Sequence, residues 1–428
     1  MQGTEVATIT CSTVLTNCHV IDVENGGTLE NYCLAIGTSG TIVALLPMSS
    51  VDVASLCANA SSTLDCQGGY VIPGLIDCHV HVTAFTGNFA ELEQTSPTYV
   101  TVTALRELEA MLRRGFTTVR DAGGADHGLA RALAEGLAHG PRLLFCGKAL
   151  SQTGGHGDMR APGDFRKALA CTCAGLGRIC DGDAQVRQAA RDEIRKGATH
   201  LKIMAGGGVA SPTDRITSTQ FSLGELRAIV EEAKAANIGV MAHAYTPRAI
   251  LNCVQAGVDS IEHGNLLDDQ TAAVMAQNGT YMVPTLATYH ALQNEGQQNG
   301  LSPDMVDKVK DVLHAGLRSI GIALKREVTI CYGSDLLANM RKYQLHGLSL
   351  MEQSGMTPFR VLKSATIDAA RLIRMQDEIG SVTVGKLADL VVVRKNPLES
   401  TKVLEEYREN YLAVFRAGRR VKLTELGD

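Results

Sequence analysis

The chain has 428 residues, 45% hydrophobic and 20% charged, with a net charge of −5. That length exceeds what one core usually holds, so a large domain plus a smaller one is expected. Interspersed acids and bases offer no basic face to nucleic acid or anionic lipid, and no apolar run reaches the roughly 18 residues of a membrane span.

The N-terminus, Met1-Gln-Gly-Thr-Glu-Val6, has no charged stretch followed by an apolar one. A cytoplasmic protein is therefore expected, and a secreted chain with its signal removed would read the same way. Residues 1–70 read as short strands (7–10, 17–22, 33–37 and 40–45) separated by turns such as Glu24-Asn25-Gly26-Gly27, with nothing helical between them. His19 is read as an ordinary strand or surface histidine.

From residue 71 the pattern becomes strand then helix, repeated. Strand-like runs occupy 71–81, 117–121, 142–147, 200–204, 239–243, 260–263, 281–285 and 329–335, and helical patterns include 102–114, 184–196, 223–236 and 305–326. This alternation predicts an α/β fold, a (β/α)8 TIM barrel over 71–375. The tail runs Leu390–Val393 and 413–421 are too few to form a domain alone. Paired with the N-terminal strands, they predict a small β-sandwich built from 1–70 and 376–428.

Of the twelve cysteines, Cys146, Cys253 and Cys331 lie in apolar runs, as reduced core thiols do. Cys171, Cys173 and Cys180 form the only cluster, inside a long loop at 151–183. It lacks the Cys-x-x-Cys or histidine spacing of a structural zinc site.

The first barrel strand ends in His79 and His81. Residues i and i+2 of a strand share a face, so both imidazoles project together and make half of a metal site. A pair alone is equally compatible with two unrelated polar residues at a strand exit. Lys202, His243, His263 and Asp335, however, end the fourth, fifth, sixth and eighth predicted strands. In a barrel those ends share one rim, where active sites assemble.

The motifs around these residues are Pro73-Gly74-Leu75-Ile76-Asp77-Cys78-His79-Val80-His81, Thr117-Thr118-Val119-Arg120-Asp121 and Ser151-Gln152-Thr153-Gly154-Gly155-His156-Gly157-Asp158. They continue with Lys202-Ile203-Met204-Ala205-Gly206-Gly207-Gly208, Ala242-His243-Ala244-Tyr245-Thr246-Pro247, Ile261-Glu262-His263-Gly264 and Gly333-Ser334-Asp335. With the tail from Gly380 to Val392, they make the chain resemble the amidohydrolase superfamily over nearly its whole length. The resemblance is to the binuclear, carboxylated-lysine branch, and within it to Xaa-Pro dipeptidases and ochratoxinase-like amidohydrolases. One departure is Thr366-Ile367-Asp368-Ala369-Ala370, where relatives commonly carry Asn in place of Asp368. The resemblance also implies a homo-oligomer.

The residue types point to the chemistry independently. Two histidines and a carboxylate can hold one divalent ion, and His243 and His263 a second; zinc suits this donor set. Lys202 fits only if carboxylated by CO2, because an ammonium among cations would be repelled whereas a carbamate can bridge both metals. A hydroxide bridging the pair would be the nucleophile, with Asp335 both metal ligand and proton carrier. His156, in a glycine-rich loop, is placed to donate to the carbonyl oxygen as charge develops. Tyr245 is expected over the same mouth, where the resemblance implies that it holds a substrate carboxylate. Arg248, one turn further, is a weaker substrate-binding candidate. Asp121 is read as a structural ion pair with Arg120, and 206–208 as a mobile loop, not a phosphate cradle.

The expected function is metal-dependent hydrolysis of the amide bond to a C-terminal amino acid, in dipeptides or N-acyl amino acids. A cyclic-amide hydrolase or a deaminase on the same barrel is the alternative. The deaminase branch has a Glu shortly after the fifth strand, where this chain reads Ala244-Tyr245-Thr246-Pro247. A non-catalytic scaffold is opposed by the full ligand set.

Overall fold

The computed structural model describes residues 11–50, 52–165, 174–299 and 301–423. The strand expected at 7–10 and two of the clustered cysteines, Cys171 and Cys173, lie outside the described residues; Cys180 is buried.

Both chain ends enter one mixed sheet of eight strands. Leu390–Val393 pairs antiparallel with Tyr70–Pro73, Val391 opposite Ile72, and Tyr70–Pro73 runs parallel to Thr13–Ile21. Beyond it lie Thr28–Ile36 and Ile42–Pro47, and on the far side Tyr411–Arg416 and Arg419–Arg420. Side chains alternate across a strand, and here both faces are covered. Leu390 and Val392 join Leu15, Leu34 and Val71 in one core, whereas Val391 and Val393 join Ile72 and Leu75 in the main one. That explains an uninterrupted Leu-Val-Val-Val run.

The remaining strands are parallel. Leu75–Val80, Phe116–Asp121 and Arg142–Phe145 form one sheet. Gly177–Ile179, Ala149–Ser151, His200–Met204, Gly239–Ala244, Ser260–His263 and Tyr281–Val283 form another, in that order. Hydrogen bonds link the two: Thr199 N donates to Phe145 O at 2.8 Å, and Cys78 N to Tyr332 O at 2.9 Å, while Ile330 bridges to Met282. Helices fill the intervals, among them Pro97–Arg113, Gly182–Arg195, Leu223–Ala235 and Pro303–Lys325. No helix among the described residues is long and apolar enough to cross a membrane.

Three expectations are corrected. A helix, Asp52–Asn59, interrupts the N-terminal strands; Val53 and Leu56 are its buried positions, three residues apart as one helix face requires. The run 71–81 is two strands belonging to two sheets, broken at Gly74. A Cβ there would lie 2.2 Å from Thr117 Oγ1, so only glycine lets the chain cross between sheets at this point. The segment 329–335 is not a strand: it carries an isolated bridge at Ile330 and ends at the left-handed residue Asp335, at φ 55°.

Candidate active site

One cavity is lined by His79, His81, His156, Lys202, His243, Tyr245, His263 and Asp335. Its remaining wall is largely apolar, with Phe89, Leu176, Leu292 and Leu337. Arg248 is different: it is exposed on the first turn of the helix Pro247–Ala256 and is not among the lining residues. The turn beginning at Thr246 directs it away from the face that Tyr245 occupies.

Each ligand-candidate histidine has one ring nitrogen tied to a protein acceptor. His79 Nδ1 lies 2.7 Å from Glu262 Oε2, His81 Nδ1 3.2 Å from Gly123 O, and His263 Nδ1 2.8 Å from Thr285 Oγ1. His243 uses its other nitrogen, Nε2, 3.0 Å from Gly207 O. Such outer contacts orient imidazoles for metal ions and leave the second nitrogen as the ligand atom. On the free side, His79 Nε2 and His81 Nε2 approach Asp335 Oδ1 at 3.4 and 3.3 Å. Ligand atoms of these three residues all lie within 4.8 Å of one another.

Burial dominates the electrostatics. It pushes His79, His243 and His263 well below the ordinary histidine range, with Lys202 and neighbouring rings adding to the effect. Burial thus favours the neutral imidazole, the form that binds metal. Burial also opposes ionisation of Asp335, but the adjacent His79, His81 and Lys202 outweigh it and hold the carboxyl below its usual value.

Lys202 is the anomaly. It is 1% exposed, and its Nζ forms no hydrogen bond or ion pair with a described residue. Burial lowers its pKa, with Glu262 and Asp335 opposing. An ammonium buried to this extent is costly.

Backbone strain gathers here too. His263, Thr285 and Asp335 adopt positive φ angles of 74°, 46° and 55°, sparsely populated for residues with a Cβ. Asp77, fully buried, accepts from His79 N (3.1 Å), Ser334 N (3.0 Å) and Gln344 Nε2 (2.9 Å), clamping the segments that carry His79 and Asp335 together. Burial raises its pKa to about 6 despite these donors.

The expected Arg120–Asp121 ion pair is not formed. Neighbours on a strand face opposite ways. Arg120 donates to Cys78 O (2.7 Å) and Glu262 Oε1 (3.1 Å), whereas Asp121 accepts from the backbone of Val82, Gly123 and Ala125. Asp121 thus shapes the loop whose Gly123 carbonyl meets His81.

Glu262, Asp77, Tyr289, Ser211, Asp214 and Gln220 were not singled out from the sequence. Glu262 did carry a signal, since a carboxylate inside a buried strand beside His263 must have a partner.

A profile of the Amidohydrolase family matches residues 70–421. The chain belongs to the amidohydrolase family. This amidohydrolase is similar to ochratoxinase of Aspergillus niger, 33% identical over 350 residues, which span 78% of this chain and 72% of that protein. Its fold matches the crystal structure of a prolidase complexed with N-methylphosphonate-L-proline: TM-score 0.92, 44% identity, covering 96% of this chain and 99% of the other. A Xaa-Pro dipeptidase with methionine bound in the active site matches at TM-score 0.84 and 28% identity, covering 95% and 99%. The protein is a hydrolase acting on amide bonds.

Proposed function

We propose that this amidohydrolase cleaves the amide bond to a C-terminal amino acid, in dipeptides or N-acyl amino acids, with two divalent ions held in the cavity. The single observation that carries the reading is Lys202, buried in a cavity it shares with five histidines and a carboxylate. Carboxylation turns that costly cation into an anion with two ligand oxygens, which the surrounding donors complement. His79, His81 and Asp335 would hold one ion, His243 and His263 the other, and carboxylated Lys202 both; the imidazole-rich set suits zinc. Bound there, the ions supply Lewis acidity to the scissile carbonyl and acidify a water.

The protein's own groups do the rest. Asp335 takes a proton on its carboxylate and releases it to the leaving nitrogen. Tyr289 Oη donates to Tyr245 Oη at 3.0 Å, so the Tyr245 hydroxyl hydrogen is left for a substrate carboxylate. The apolar wall receives the acyl side. Neighbours that bind methionine or a phosphonate of L-proline support a site for an amino acid with a free carboxylate. We read the parallel strands as one barrel over 71–375, with the active site at its C-terminal rim, and residues 1–70 and 376–428 as the small β domain.

The test compares each substrate with its C-terminal amide. The free acid should be favoured by roughly tenfold or more in kcat/KM, the discrimination expected when a buried donor loses its partner. Equal rates would mean that no carboxylate site exists and would favour a cyclic-amide hydrolase.

A further inference from the structure

The C-terminal hairpin sets two arginines side by side. Tyr411–Arg416 turns through Ala417 and Gly418 into Arg419–Arg420, both turn residues at positive φ (46° and 75°) as a tight hairpin requires. Arg416 and Arg419 are direct cross-strand partners, so they share a face, where like charges repel. Arg416 is the more confined of the two: its Nε is buried and has no hydrogen-bond partner. Burial, with Arg142 and Arg419, holds its pKa below the ordinary arginine range against the pull of Asp389. That carboxylate is committed elsewhere, accepting from Arg142 Nη1 at 2.8 Å and from Ala417 N at 2.6 Å.

Both arginines line a cleft of about 390 Å³. Arg420 and Lys422 lie on its wall as well. Glu109, the one carboxylate among its described lining residues, is bonded to Arg113 Nη2 at 2.6 Å. The cluster is local, in a chain whose net charge is −5. Opposite the charges the wall is apolar, with Leu112 from the helix Pro97–Arg113 and Leu133 from the helix His127–Ala134. Val421 adds to it from the hairpin, two residues beyond Arg419 and so on the same face.

The cleft lies at the N-terminal ends of Phe116–Asp121 and Arg142–Phe145, beside the helix end and the loop that lead into them. Leu75–Val80 runs parallel to these strands, and His81 follows its other end. None of the residues lining the cleft lines the active-site cavity.

Charge and shape select the ligand class. A carboxylate offers two guanidinium forks one charge and two oxygens. A phosphate monoester offers nearly two charges and three acceptor oxygens, enough for both forks at once. Inorganic phosphate would leave the apolar wall uncovered, and the volume is that of a site for a small organic molecule.

We propose that this cleft binds a phosphate monoester, its phosphate between Arg416 and Arg419 and its organic part against Leu112, Leu133 and Val421. The proposal does not depend on the reading of the active-site cavity.

Titration calorimetry of the metal-loaded full chain tests it, with AMP as the probe and phenyl phosphate, inorganic phosphate and adenosine as comparisons. AMP and phenyl phosphate should bind, inorganic phosphate about tenfold more weakly, and adenosine not measurably. Arg419 is exposed, and Arg419→Glu turns a repulsive cross-strand pair into an attractive one, so the fold is kept. That variant should weaken AMP binding by about tenfold or more, the effect of losing a charged hydrogen bond, and leave kcat/KM for N-acetyl-L-methionine unchanged. Arg416→Gln should weaken AMP binding likewise. Metal ions also hold phosphates, so His263→Asn is the counterpart: its affinity for AMP should stay native. AMP binding lost in His263→Asn but kept in Arg419→Glu would overturn the proposal. So would the failure of both esters to bind the native protein at millimolar concentration. Inorganic phosphate binding as tightly as AMP would overturn the place given to the organic part.

Discussion

At the scale of single residues, the candidate site depends on second partners as much as on the ligand atoms. Lys202 is the sharpest case. Lys202→Ala should lose both metal ions and nearly all activity, and short carboxylic acids should restore part of it by occupying the vacated bridge. Metal content and rate measured with and without added acetate test this; a variant that keeps both ions and its rate would contradict the bridge. Glu262 acts one layer out, oriented by Arg120 and holding His79 Nδ1 at 2.7 Å. Glu262→Gln should weaken metal binding by roughly 10–100-fold, the usual cost of losing an outer carboxylate. Competition with a chelator of known affinity measures it, and an unchanged affinity would assign Glu262 to packing alone.

Among the elements, the junction between Tyr70–Pro73 and Leu75–Val80 is the most constrained. Pro73 ends one sheet, Gly74 N donates to Asp389 O at 2.7 Å, and Leu75 begins the next sheet with its N–H on Gly115 O at 2.9 Å. Because a Cβ at Gly74 would meet the Thr117 side chain at 2.2–2.8 Å, Gly74→Ala must shift a strand leading to His79. We expect a loss of about 1–3 kcal/mol, the range for overpacking a tight core. Urea denaturation would show it as a lower midpoint at unchanged slope. Restoration by Thr117→Ala in the double variant would identify Thr117 Oγ1 and the methyl as the obstacle; no restoration would place the strain in Thr117 Cβ and the backbone.

Across the whole molecule, the proposed metals join segments from distant parts of the chain, so their loss should be felt globally. Protein purified without chelator should carry two divalent ions per chain by elemental analysis. One ion with full activity would remove the binuclear reading. A ligand at 100 times its Kd stabilises by about 2.7 kcal/mol. Two such ions contribute about 5 kcal/mol, and at about 1–1.5 °C per kcal/mol for a chain of this size, stripping them should lower Tm by roughly 5–8 °C. Calorimetry of apo and reconstituted protein makes the comparison; identical Tm values would mean that the pocket binds no ion tightly.

What the sequence determined by itself follows from local periodicity. A strand's two-residue repeat sends His79 and His81 the same way, and strand–helix alternation puts Lys202, His243 and His263 on successive parallel strands. Those relations are set within each element and need no knowledge of its neighbours. The tertiary structure alone decided relations between elements. Glu262 meets His79 across 183 residues, and Ser211 meets His156 across 55. Arg120 reaches Glu262 because the strand's alternation turns it away from Asp121, and Arg248 faces solvent because a helix begins just before it. The break at Gly74 was hidden for the same reason: nothing in Tyr-Val-Ile-Pro-Gly-Leu-Ile says that Thr117 occupies the space a Cβ would need. A chain's local pattern specifies which way a side chain points, but only packing specifies what it points at.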